Sequence, residues 1–238
     1  MTMIADNLQQ LRARIAQACA QCGRPAESVQ LLAVSKTFGA DAVAQAFAAG
    51  QQAFGENYIQ EAVEKMAALK HLPLQWHCIG PIQSNKTRLV AEHSDWVHTV
   101  DRLKIAQRLS EQRPTAMAPL QVCIQVNVDG GPTKSGVVPQ EALALAQQVR
   151  ALPNLQVRGL MCIPEPAPDF VAACAVFARA RALFDAINTA GVPMDTLSMG
   201  MSGDLEAAVA SGSTLVRVGS AIFGARHYPA VDPVTSLS

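Results

Sequence analysis

Apolar residues recur along this chain in two alternating patterns. Between about residues 4 and 21 they return every three or four positions, which predicts an amphipathic helix. From VQLLAVSK onward, short continuous apolar runs of strand length alternate with helical segments. The predicted strands cover about residues 30–35, 52–55, 75–79, 95–99, 120–127, 156–162, 196–199 and 214–218. The helices between them cover about residues 40–49, 58–69, 86–92, 102–111, 140–151, 170–190 and 205–211.

This alternation predicts the fold class. Continuous apolar strands separated by helices indicate parallel strand pairing with both faces of the sheet covered. Eight strand–helix units predict an α/β protein that is a single (β/α)8 TIM barrel with an extra N-terminal helix. A doubly wound open sheet is the competing interpretation, but SKTFGAD after the first strand is not a glycine-rich phosphate loop. We expect one domain over residues 1–238, with residues 227–238 as a loose tail.

Composition narrows the class of protein further. The 238 residues are 50% hydrophobic, and 19 basic residues balance 19 acidic ones, so no basic patch points to nucleic acid. No apolar stretch reaches the roughly 20 residues that span a bilayer, and the first 20 residues lack a secretory pattern. We therefore expect a cytoplasmic protein without a membrane partner. Cys19 and Cys22 form a CxxC pair without a second pair, so we expect reduced structural thiols and no metal site.

Lys36 is the most informative candidate, because it ends the first predicted strand in LLAVSK. Functional groups of such barrels project from the carboxyl ends of the strands. An ammonium at an apolar barrel mouth is costly to desolvate, so we expect its pKa to fall from about 10.4 toward neutrality. The neutral amine is the form that adds to an aldehyde, which makes Lys36 a candidate Schiff-base lysine. A strand-end lysine whose amine reaches bulk solvent is the alternative.

Two glycine- and serine-containing segments follow the last two predicted strands. SMGMSGDLEAAVASG carries Ser202 at the start of a helix, and VRVGSAIFGAR carries Gly219 and Ser220. Barrels frequently bind phosphate with this pair of loops, although an ordinary helix cap would also explain the first of them. Arg217, within the last strand, needs a buried acceptor or a ligand if it faces inward. Asn57 and His77 are further inward-facing candidates.

In combination, these features describe a site for a phosphorylated aldehyde. A lysine on the first strand and a phosphate cradle on the last two suit pyridoxal 5′-phosphate (PLP) as cofactor. An aldolase acting on a sugar phosphate would use similar parts, but it would need an acid–base partner that the sequence does not identify.

Several long segments carry a family resemblance: AVSKTFGADAV, FGENYIQEAVEK, WHCIGPIQSNK, TVDRLKIA, VNVDGGPTKSG, GLMCIP and LSMGMSGDLEAAVASGSTLVRVGSAIFGAR. They resemble the pyridoxal phosphate homeostasis protein family from about Val29 to Arg226. The resemblance implies a barrel like the N-terminal domain of alanine racemase that binds PLP without an established catalytic reaction. The GGPTKSG loop differs from the lysine- or glutamate-rich version that relatives often carry at the rim of the site.

The resemblance also implies residue roles. Lys36 would form the Schiff base, and Ser202, Gly219 and Ser220 would hold the phosphate. Arg217 would lie against the pyridine nitrogen, and the ring pocket would be lined by Asn57, His77 and Met199.

The leading functional hypothesis is therefore a monomeric PLP-binding protein that stores the cofactor and passes it to apo PLP-dependent enzymes. A guanidinium at the ring nitrogen would disfavour protonation of that nitrogen and weaken the cofactor as an electron sink, so we expect no catalysis. A PLP-dependent amino-acid racemase is the alternative, and an interaction module in which the lysine is incidental is a third hypothesis.

Overall fold

The computed structural model describes residues 2–131 and 134–224, which form a closed barrel of eight parallel strands in sequence order. The strands are β1 Gln30–Val34, β2 Ala53–Glu56, β3 Gln75–Cys78, β4 Trp96–Val100, β5 Leu120–Gln125, β6 Leu155–Met161, β7 Thr196–Ser198 and β8 Leu215–Val218. β1 closes the ring by pairing with β8, in the register Gln30 opposite Leu215 and Ala33 opposite Val218. The predicted TIM-barrel fold is confirmed.

Helices surround the barrel on its outer side. They are α1 Met3–Gln21, α2 Ala40–Ala48, α3 Ile59–Ala68, α4 Thr87–His93, α5 Leu103–Gln112, α6 Pro139–Arg150, α7 Phe170–Thr189, α8 Leu205–Ala210 and α9 Ser220–Phe223. The predicted elements agree with these bounds to within about two residues. The four-residue helix α9 follows β8 and is not among the predicted helices. The predicted loose tail, residues 227–238, lies outside the described residues.

Side chains of each strand alternate between the barrel interior and the layer beneath the helices. Interior positions include Leu32, Ala53 and Leu215, which pack together, and Trp96, Cys123 and Met161, which form a second buried cluster. The outward positions of the strands pack against the apolar faces of the helices in two larger clusters. Burying one large apolar side chain stabilises the fold by about 1.5–3 kcal/mol, so this outer layer dominates the stability of the barrel.

The extra helix α1 covers the junction between the first and last strands. Leu8, Leu11 and Ile15 recur on one face of it and are buried in the same cluster as Val216 and Val218 of β8. The predicted amphipathic helix therefore has its apolar face against the barrel.

Two further observations concern the length of the helices and the state of the cysteines. None of the helices in the described ranges is both long and apolar enough to cross a membrane. All six cysteines lie within those ranges, and each is a free thiol.

Candidate functional site

A cavity of about 330 Å³ opens at the carboxyl ends of the strands. This volume lies at the lower end of the range for small-molecule sites, about 300–1,000 Å³. Its wall combines apolar side chains with an amine, a guanidinium, an amide and two hydroxyls. The lining residues are Val34, Lys36, Phe38, Asn57, Ile79, Ile163, Met201, Ser202, Gly203, Arg217, Gly219, Ser220 and Gly224.

Lys36 follows β1 by two residues, after the buried Ser35, and its side chain is half-buried on the cavity wall. Ser202 and Ser220 line the same cavity. The side chain of Lys36 therefore faces the two serine-bearing loops, as the sequence interpretation requires, instead of pointing away from them.

The loop after β7 turns tightly because of Gly200, whose φ is +99° and whose added Cβ would lie 2.5 Å from the Cβ of Ala208. The Asp204 carboxylate accepts a hydrogen bond from the backbone N–H of Met201 (2.6 Å), which closes the turn. α8 begins only at Leu205, so Ser202 lies in the loop before the helix and not at its cap. Its hydroxyl is thus available on the cavity wall.

The loop after β8 runs close to β1. A Cβ at Gly219 would lie 3.1 Å from the carbonyl oxygen of Val34, so a side chain there would push the loop away from the first strand. Ser220 begins α9 directly after this glycine, and both residues line the cavity. The close approach brings the last loop to the end of β1 that carries Lys36.

Arg217 contributes a buried guanidinium to the cavity wall, at 4% exposure. Its Nη1 donates to the hydroxyl oxygen of Ser198 (2.7 Å), and its Nη2 donates to the carbonyl oxygen of Cys162 (2.9 Å). Within the described ranges, no carboxylate forms an ion pair with it. Burial lowers the pKa of Arg217, because no neighbouring anion fully offsets the loss of water. A buried cation without a carboxylate suits a cavity whose ligand is an anion or a hydrogen-bond acceptor.

Beneath Arg217, a chain of hydrogen bonds crosses the barrel interior. The Nδ1 of His98 contacts the hydroxyl of Ser198 (2.9 Å), and the Nε2 of His98 contacts the Nδ1 of His77 (2.9 Å). The Nε2 of His77 contacts the side-chain oxygen of Gln75 (3.0 Å). Because Ser198 accepts from Arg217, one consistent assignment has Ser198 donating to His98, His98 to His77, and His77 to Gln75.

Both histidines of this chain are neutral at physiological pH. Burial lowers the pKa of His77 to about 3. Burial lowers the pKa of His98 well below its ordinary value, and repulsion from the Arg217 cation, and from His77 when that residue is protonated, acts in the same direction. The guanidinium of Arg217 is therefore the one permanent charge in this buried chain.

The cavity brings together six of the eight residues predicted to bind the cofactor: Lys36, Asn57, Ser202, Arg217, Gly219 and Ser220. The structure does not bring His77 and Met199 to its wall. His77 faces the barrel interior two residues before Ile79, so it lies about 6.6 Å deeper along the strand. Met199 is buried in the outer layer with Ala207 and Ala208 of α8.

Sequence reasoning missed the apolar part of the wall. Ile79 and Ile163 follow β3 and β6, and Phe38 lies in the loop after Lys36, where its ring stacks on that of Phe223 at 5.0 Å. A signal for two of the missed residues was present. Ile79 and Met201 each lie two residues beyond a predicted site residue, nearer to the open end of the barrel.

Comparison with protein families places this architecture among known ones. A family model for the alanine racemase N-terminal domain matches residues 7–227. A pyridoxal phosphate homeostasis protein of Pseudomonas aeruginosa is 58% identical over 230 residues, which cover 97% of this chain and 99% of the relative. The protein of the same name from Escherichia coli strain K12 is 52% identical over 96% of this chain and 99% of its own.

Solved structures agree with these relatives. PipY of Synechococcus elongatus, solved with PLP bound, is 40% identical, with a TM-score of 0.81 over 93% of this chain and 100% of its own. Alanine racemase of Corynebacterium glutamicum is only 19% identical, with a TM-score of 0.70 over 99% of this chain and 63% of its own. The second likeness concerns the fold alone.

Proposed function

This chain belongs to the pyridoxal phosphate homeostasis protein family, and from that premise we propose that it binds PLP through Lys36 and holds it for delivery to other enzymes. The PLP-bound structure of its relative PipY supports the choice of cofactor. The free thiols of the chain are in keeping with a reducing compartment such as the cytoplasm, where its acceptors would be apo PLP-dependent enzymes.

One observation carries this proposal. A single cavity of about 330 Å³ is lined by the amine of Lys36, the hydroxyls of Ser202 and Ser220, and the buried guanidinium of Arg217. An amine that can bond to an aldehyde, hydrogen-bond donors that suit a phosphate, and a cation for a ring nitrogen are the groups that PLP requires. The residues present therefore fit the cofactor.

Each polar residue has a distinct part in this proposal. PLP, when bound, supplies an electrophilic aldehyde. The neutral amine of Lys36 would condense with it, so that one C=N bond forms and one water molecule leaves. Ser202, Ser220 and the backbone at Gly219 would donate hydrogen bonds to the phosphate, and Asn57 would help to orient the ring. Arg217 would donate a hydrogen bond to the ring nitrogen.

The cavity wall favours storage over catalysis. A guanidinium always carries its proton, so Arg217 would keep the ring nitrogen unprotonated and would weaken the electron withdrawal that PLP enzymes use. A racemase also needs a second acid–base group opposite the lysine. In the described ranges the wall carries no carboxylate, imidazole, thiol or phenol.

PLP uptake tests the binding half of the proposal. We expect the protein to turn yellow with PLP and to keep the colour after gel filtration, and we expect Lys36→Ala to lose the visible absorbance band. Lys70→Ala, which removes an exposed lysine of the same chain, is the matched control and should keep the band. A colourless wild type, or an equally yellow Lys36→Ala variant, would overturn the proposal.

Hydrogen exchange tests the non-catalytic half. The PLP-loaded protein is incubated in deuterated water with L-alanine or L-serine, and α-deuterium incorporation is followed by NMR. We expect a rate no higher than that of free PLP at the same concentration, because the wall offers no second base. Faster exchange would favour the amino-acid racemase instead.

A further inference from the structure

The residues on both sides of Lys36 are held from outside the barrel by three charged side chains, Glu56, Glu61 and Lys65, which we call the clamp. Glu56 ends β2, and Glu61 and Lys65 lie one turn apart on α3. None of the three lines the cavity. The clamp contacts Ser35 and Thr37, the residues on either side of Lys36.

On one side, Lys65 fixes the residue before Lys36. Its Nζ donates to the carbonyl oxygen of Ser35 (2.9 Å) and to the Oε1 of Glu56 (2.6 Å), while the Ser35 hydroxyl donates to the same carboxylate oxygen (2.5 Å). Lys65 and Glu56 are 5% and 2% exposed. A buried amine and carboxylate are costly to desolvate unless they are paired, so each holds the other in place and both hold Ser35.

On the other side, Glu61 fixes the residue after Lys36. The backbone N–H of Thr37 donates to the Oε1 of Glu61 (2.9 Å), and the same oxygen lies 3.5 Å from the Nζ of Lys65. Thr37 has a φ of +68°, in the left-handed region that β-branched residues rarely adopt. That conformation is sterically unfavourable, and Thr37 is exposed, so side-chain packing does not enforce it. Two hydrogen bonds restrain it: the Phe38 N–H donates to the carbonyl oxygen of Ser35 (3.1 Å), which closes a turn around Lys36 and Thr37, and the Thr37 N–H donates to Glu61 from α3.

From this geometry we propose that Glu61 is a positioning residue that, together with Lys65 and Glu56, holds Ser35 and Thr37 so that the side chain of Lys36 is directed into the cavity. The inference rests on the proposed function, since Lys36, whose side chain the clamp would orient, is the residue that would bond to PLP. Holding a nucleophile in its reacting orientation lowers the entropic part of the barrier, and small displacements reduce rates steeply.

The test compares three variants of α3. Glu61→Ala removes the acceptor for the Thr37 N–H, whereas Glu61→Gln keeps a side-chain oxygen at the same place. Glu64→Ala removes an exposed carboxylate from the same helix and is the matched control. The side chain of Glu61 is 38% exposed, so its replacement should leave the fold intact, which circular dichroism checks.

Two measurements are made on each variant. The first is the rate of imine formation with PLP, followed by visible absorbance. We expect Glu61→Ala to slow it about tenfold, Glu61→Gln to remain within about twofold of the wild type, and Glu64→Ala to leave it unchanged. The second is amide hydrogen exchange at Thr37 without PLP, which we expect to accelerate in Glu61→Ala alone.

The outcomes separate this inference from the proposed function. Equal imine formation in Glu61→Ala and wild type would overturn the positioning role, and so would loss of rate in Glu61→Gln to the same extent as in Glu61→Ala. A wild type that forms no imine contradicts the proposed function itself. Because amide exchange is measured without PLP, it tests the clamp even in that case. Unchanged exchange at Thr37 in Glu61→Ala would show that Glu61 does not hold the loop.

Discussion

At the scale of single residues, the orientation of Arg217 depends on neutral neighbours. Ser198 and the Cys162 carbonyl hold the guanidinium by hydrogen bonds without cancelling its charge. His98 and His77 extend the chain into the interior, and both are neutral because burial lowers the pKa of each. A carboxylate at the position of Ser198 would neutralise the guanidinium. Because all of its hydrogen-bond partners in the described ranges are neutral, Arg217 keeps its positive charge at the cavity wall.

The same histidines predict how stability depends on pH. In the unfolded chain a histidine takes up a proton below about pH 6.5, whereas folded His77 stays neutral down to about pH 3. The stability that they contribute is therefore complete above pH 6.5 and is lost as the pH falls from there toward 3. His77 alone predicts a loss of about 1.4 kcal/mol per pH unit in this window, and His98 adds to it.

Urea unfolding at pH 7.5, 6.0 and 5.0 measures this loss, and His77→Gln should reduce its slope by about half. Burial raises the pKa of Glu56 above its ordinary value, so around that pKa Glu56 has the opposite effect and reduces the loss of stability as the pH falls. A free energy of unfolding that stays constant from pH 7.5 to 5.0 would contradict the assignment of neutral histidines.

At the scale of elements, α1 supports the loops of the candidate phosphate site. Arg14 pairs with Glu206 of α8 through both carboxylate oxygens and donates to the carbonyl oxygen of Ser202 (2.9 Å). Asn7 of the same helix donates to the carbonyl oxygen of Ile222 in α9 (2.9 Å). The helix that precedes the barrel thus restrains both loops from outside.

Replacement of Arg14 tests this role of α1. We expect Arg14→Ala to weaken PLP affinity by roughly fivefold, since it releases the Ser202 loop at a cost of about 1 kcal/mol. Arg12→Ala is the matched control, because Arg12 donates to the Ala49 carbonyl on the α2 side and should leave affinity unchanged. Equilibrium titration of PLP measures both. Equal affinities in the two variants would show that α1 only covers the barrel.

The elements were largely predictable from the sequence, because apolar periodicity is a local property and strand ends mark the functional edge of a barrel. Lys36, Ser202, Gly219 and Ser220, which line the cavity, were predicted as site residues in this way. By contrast, the depth of a residue inside the barrel and the contacts between strands and helices depend on residues far apart in the sequence, so the local pattern does not predict them. His77 was therefore predicted to line the pocket, although it lies deeper in the barrel. The hydrogen bond between Glu61 and Thr37 had no sequence signal.

At the scale of the whole molecule, closure of the barrel creates the site. Lys36 follows β1, whereas Gly219 and Ser220 follow β8, and these strands are neighbours only because β1 pairs with β8. In an open sheet with the strands in this order, the first and last would lie at opposite edges. The amine and the phosphate loops therefore depend on the ring as a whole, and not on one motif.

Reductive trapping tests the central claim most directly. Borohydride converts an imine between PLP and a lysine into a stable amine, and peptide mass spectrometry then identifies the modified residue. With PLP at one equivalent, we expect the added phosphopyridoxyl mass on the peptide that contains Lys36. A label confined to other lysines, or the absence of any label on the native protein, would contradict the account.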